Sequence, residues 1–98
     1  MPKYVVLLNM TDQGVRNIRE QPEQRAALSE RFRSMGVTRD FYLTMGPYDA
    51  VAIVDAPDDE TLARVALAVG SGGNFRTMTM KAFPEDEADS LIRGLPQP

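Results

Sequence analysis

Residues 41–54 read FYLTMGPYDAVAIV. Two apolar runs flank Gly46-Pro47-Tyr48-Asp49, and each is too short for an ordinary helix. Both are rich in aromatic and β-branched residues, so they read as strands, Val37 to Met45 and Ala50 to Asp55. The four residues between them make a hairpin. Pro47 suits the second position of a type I or II turn, and Gly46 supplies a conformation that side chains disfavour. Asp49 then opens a strand. Its carboxylate is expected either to cap free amides of the turn or, with Tyr48, to face a ligand.

Working toward the N-terminus, Lys3 to Met10 is a third strand. Thr11 or Asp12 offers a helix cap, and Asp12 favours a helix start electrostatically. A short helix over 12–19 follows, with Val15 and Ile18 as its apolar face. Pro22 ends it and begins another helix, in which Leu28, Phe32 and Met35 form the buried stripe and Gly36 the cap. Toward the C-terminus, Asp58 caps a helix whose apolar face is Leu62, Val65, Ala66 and Val69. Gly70-Ser71-Gly72-Gly73 closes that helix. The run follows a helix, whereas a phosphate-binding loop precedes one, so it reads as a link. Asn74 to Ala82 is a fourth strand, and Pro84 starts an acidic helix carrying Ala88, Leu91, Ile92 and Leu95.

The order β-α-β-β-α-β is the ferredoxin-like arrangement, an α+β sandwich of one sheet and two covering helices. The 98 residues form a single domain, with a core of about 3–83 and an extra C-terminal helix of about 84–94. Both faces of the sheet are apolar: Tyr4, Val6 and Leu8 oppose Val5 and Leu7, and Val51 and Ile53 oppose Ala50, Ala52 and Val54. A sheet wet on one side alternates apolar with polar residues. A second cover is therefore expected, part from the C-terminal helix and part from a second copy of the sheet. That makes the chain a homo-oligomer, a dimer or larger.

Composition narrows the chemistry. Net charge is −3 and no basic cluster stands apart from acids, which argues against nucleic acid as a partner. No stretch approaches membrane-spanning length, so neither a membrane partner nor a membrane location is expected, and the location expected is cytoplasmic. Cysteine and histidine are both absent. Thiol nucleophiles, the usual neutral general base and the commonest metal ligands go with them. The acidic runs Asp58-Asp59-Glu60 and Glu85-Asp86-Glu87 sit at helix starts, where acids are favoured without a metal. Neither a metal site nor a cofactor is expected, and no catalytic residue can be assigned. Arg76, on the fourth strand, is expected to pair with Asp49 or Asp55, or to hold an anion bidentately. Tyr4 and Tyr42 read as packing or as the wall of a pocket.

The strings GPYDAVAIVDAPDDE (46–60) and ALAVGSGGNFRTMTMKAF (66–83), with the opening YVVLLNMTDQGVRNI (4–18), resemble the GYD domain family of small bacterial proteins. That resemblance implies a ferredoxin-like fold of the dimeric α/β-barrel kind and brings no firm activity. The pattern Gly46-x-Tyr48-Asp49 followed by Arg76-Thr77-x-Thr79 is also similar to the ligand-sensing domain of leucine-responsive (Lrp/AsnC) regulators. Those bind amino acids between subunits, near the loop matching Gly46 to Asp49. On these grounds the leading expectation is a small-ligand binding or assembly module, with Gly46, Tyr48, Asp49, Arg76 and Tyr42 as ligand contacts. A cofactor-free enzyme with a cleft between sheet and first helix is the alternative, and a structural subunit without ligand is a third.

Overall fold

The computed structural model describes residues 1–98. Four strands, β1 (Lys3–Met10), β2 (Thr38–Leu43), β3 (Ala50–Asp55) and β4 (Phe75–Ala82), form one antiparallel sheet in the order β2-β3-β1-β4. Four helices accompany them: α1 (Asp12–Arg16), α2 (Gln21–Ser34), α3 (Asp59–Ser71) and α4 (Glu85–Arg93), with a 3-10 turn at Ile18–Glu20. This is the expected ferredoxin-like α+β arrangement with its extra C-terminal helix.

Register divides the sheet into two faces. Tyr4, Val6 and Leu8 stand opposite Val54, Ala52 and Ala50 on the inner face, which looks at α2 and α3. Val5 and Leu7 stand opposite Ile53 and Val51 on the outer face. The buried core belongs wholly to the inner face, where the sheet residues meet Phe32, Val37, Ala56 and Leu62. Ten residues make that core, so it is thin, as a chain of this length requires.

Local chemistry sets the helix boundaries. Thr11 caps α1 by accepting from the Gly14 amide at 3.1 Å, and Asp58 caps α3 by accepting from the Thr61 amide at 2.7 Å. Gly36 ends α2 in the left-handed region, at φ +82°.

Four packing expectations fail, each for a physical reason. Val15 and Ile18 are exposed. α1 is only five residues long and seats Gly14 against the Asn74 carbonyl, which turns Val15 outward. Met35 is exposed because α2 ends at Ser34, before the stripe reaches it. The hairpin is wider than four residues: the Thr44 amide donates to Asp49 O (2.9 Å) and the Thr44 hydroxyl to Tyr48 O (2.7 Å). The fourth concerns α4, which covers neither face of the sheet. It packs extensively on no other element, and Leu91, Ile92 and Leu95 are all exposed. The molecule is accordingly long, 53 × 32 × 19 Å, with a radius of gyration of 15.4 Å, against about 12.6 Å for a compact chain of this length.

Candidate functional site

Asp49 sits where the wide loop crosses the end of β1. Its amide donates to Leu8 O (2.9 Å), and its carboxylate accepts from the Met10 amide (2.8 Å). The carboxylate thus caps a strand end rather than the turn's own amides. It replaces the backbone acceptor that β1 runs out of at Met10, and a charged acceptor makes that bond a strong one. This pull on Asp49 explains why the hairpin is wide.

The other expected contacts lie on or near the outer face. Tyr48 folds back so that its hydroxyl meets the Met78 sulfur at 3.7 Å. Arg76 stands opposite Asn9 on the outer face of β4, and no carboxylate of the chain lies within ion-pair distance of it. The expected pairing with Asp49 or Asp55 is not formed: Asp49 holds Met10, and Asp55 pairs with Lys3 at 3.0 Å. Tyr42 stands on β2, in the row Tyr42–Val51–Leu7–Met78. Three strand spacings separate it from Met78, about 14 Å, so Tyr42 and Tyr48 flank the face without meeting. Gly46 is exposed at the loop tip, at φ +134° with open space around it. Between these groups the face is apolar, and Tyr42, Met78 and Met80 remain 56%, 53% and 45% exposed.

A cluster that the sequence did not reveal lies at the opposite end of the inner face. The buried Tyr4 hydroxyl donates to Asp59, and Lys81 pairs with the same carboxylate at 3.1 Å. The bond to Asp59, with burial, pushes the Tyr4 phenol up to about 12. The same bond, then Lys81, holds the Asp59 carboxyl below its ordinary value. A phenol so raised is a poor general base at neutral pH, and the cluster acts as a pin between β1, β4 and the start of α3. No local pattern signals it, because Tyr4 and Lys81 meet only through the register of β1 and β4.

Between the sheet's inner face and the two covering helices lies a cavity of about 550 Å³, within the size range of small-molecule sites. Val6, Leu8, Ala52 and Val54 form its floor. It exists because α2 brings only Leu28 and Phe32 as large apolar side chains to its inner side, too few to fill the space. This is the cleft expected of the alternative enzyme reading. Tyr42, Asp49 and Arg76 do not line it. No group of three or more carboxylates is placed to hold a metal ion.

A GYD domain matches residues 4–92. The chain belongs to the GYD domain family. This GYD protein is 35% identical over 100 residues to the glutamine synthetase and cystathionine beta-lyase binding protein of Thermus thermophilus, covering 95% of this chain and 98% of that one. It is similar to the crystal structure of TTHA0845 from the same organism (28% identity, TM-score 0.54, 86% of this chain and 95% of that one). It is also similar to MtbAldR (16% identity, TM-score 0.63), where 86% of this chain matches 53% of that one. The MtbAldR likeness agrees with the resemblance to leucine-responsive regulators, and at this identity it is a likeness of fold.

Proposed function

We propose that this GYD protein is a non-enzymatic binding and assembly module. It pairs with a second copy of itself through the outer face of the sheet, and the pair holds a protein partner. The observation that carries this is the outer face itself. Val5, Leu7, Val51, Ile53, Met78 and Met80 form a continuous apolar surface on which the chain lays only Tyr48; Met78 and Met80 are exposed and the other four half-buried, and such surfaces mark contacts.

Charge placement favours a second copy as the cover. The face is nearly square, about 14 Å across its strands and about 13 Å along them. Asp40 stands at one corner, in the row of Ile53 and Val5, and Arg76 at the diagonally opposite corner, opposite Asn9. Neither has an ion-pair partner within the chain. A two-fold axis along the other diagonal would set each Arg76 over the partner subunit's Asp40, with the two sheets crossed near a right angle. Any small ligand at that boundary would meet Arg76 and Tyr48, with Tyr42 at the far edge of the face and Gly46 shaping the loop, while Asp49 braces the loop from behind.

The protein partner is an enzyme such as glutamine synthetase or cystathionine beta-lyase, the two named for the Thermus relative. The reading carries a cytoplasmic location with it. Light scattering on the purified chain, followed by surface plasmon resonance against those two enzymes from the same organism, tests it. A dimer that binds one of them supports the proposal. A monomer at micromolar concentration, or a dimer that binds neither enzyme, overturns it.

A further inference from the structure

The cavity between sheet and helices has a one-sided charge. Its ionisable lining residues are Arg25, Arg31, Arg33 and Arg39, and no aspartate or glutamate lines it. Arg33 has a carboxylate partner, Glu30, at 3.6 Å. Arg25 and Arg39 have none. Both gather on one aromatic ring, with the Arg25 guanidinium carbon 4.3 Å and that of Arg39 5.6 Å from the Phe41 centroid. The Arg39 guanidinium donates to the Ser29 hydroxyl. Burial, and then Arg25, lower the Arg39 guanidinium below its ordinary value.

Two like charges held on one ring repel each other, and ring contact offsets only part of that repulsion. An anion seated between them would remove it, and a guanidinium fork is shaped to hold a carboxylate through two bonds. Most of the rest of the lining is Leu, Val, Ala and Phe, with a few uncharged polar side chains such as Gln21, Ser29 and Thr77 among them. The ligand chemistry that fits is therefore an anionic head on an apolar body. A singly charged head is favoured over a doubly charged one, because burying charge beside apolar walls is costly.

The geometry points to the cavity as a binding site for an amphipathic monocarboxylate, its carboxylate held by Arg25 and Arg39 and its apolar body laid over Leu8, Ala52 and Val54. The site is on the opposite face of the sheet from the proposed assembly surface, so either can fail without the other.

Isothermal titration of the full chain with decanoate, decanol and decyl phosphate tests it. The expected result is one decanoate per chain, with decanol at least tenfold weaker and decyl phosphate no tighter than decanoate. Arg39→Gln and Arg25→Gln each weaken decanoate at least tenfold and leave decanol unchanged, with circular dichroism showing both variants folded. Arg39→Lys retains part of the affinity, and it replaces Arg39→Gln in the comparison if the latter does not fold. The proposal is overturned by equal binding of decanol and decanoate, by no decanoate binding at millimolar concentration, or by folded arginine variants that bind as the parent does. Tighter binding of decyl phosphate overturns the carboxylate assignment.

Discussion

Replacing Asp49 with alanine isolates the bond between its carboxylate and the Met10 amide. That bond is 2.8 Å long and half-buried. A hydrogen bond to a charged acceptor contributes about 1.5–3 kcal/mol. Water reaches one side of Asp49, so the lower half of that range applies, about 1.5–2 kcal/mol. For a domain of this size each kcal/mol moves the melting temperature by about 4–8 °C, giving a drop of about 6–16 °C in Asp49→Ala. Asp49→Asn keeps a side-chain oxygen in place and loses only the charge, so it should fall less than half as far. Melts followed by circular dichroism at one fixed protein concentration make the comparison, because assembly makes melting concentration-dependent. An Asp49→Ala protein melting within about 2 °C of the parent, less than the shift of a single kcal/mol, would refute the bracing role. Equal losses in the alanine and asparagine variants would show that charge, not the acceptor position, carries the effect.

Further outcomes follow from the same geometry. Gly14→Ala should destabilise the fold severely in thermal melts, because the added carbon would lie 2.1 Å from the Asn74 carbonyl oxygen; a melt indistinguishable from the parent's would mean that α1 shifts freely. Arg76→Asp and Asp40→Arg should each weaken the dimer by light scattering, and the double swap should restore it; two silent single variants would rule out the diagonal pairing. Tyr4 has a raised folded-state value, so its contribution is intact below pH 10.0 and is lost as pH climbs toward about 12. Alkaline difference spectra should therefore show a late tyrosine phase that Tyr4→Phe abolishes, and a Tyr4→Phe spectrum that still contains it would assign the phase elsewhere.

The strands were legible because a period of two survives in short runs such as Tyr4–Leu8 and Ala50–Val54, and burial follows that alternation residue by residue. The caps were legible because Asp58 and Gly36 act within a few residues of themselves. Asp49 was legible only in part. Its place at the head of β3 is local, but its partner is Met10, 39 residues away, and only strand order brings the two together. Arg76 misled for the same reason: a cation on a strand suggests a nearby carboxylate, yet register puts it at a corner of the outer face with none of its own chain in reach. The cavity was the least legible feature. Arg25 precedes Leu28 and Phe32 by three and seven residues, which sets it on the inner stripe of α2, and Arg39 shares a strand face with Phe41 by simple alternation. Each arginine alone reads as a solvated charge. Their meeting on Phe41 depends on how α2 crosses β2, a packing angle that no local pattern encodes. A helix with too few large apolar residues to fill its own footprint is the sequence-level mark of such a cavity, and a cation on the stripe of that helix suggests which ligand chemistry the cavity takes.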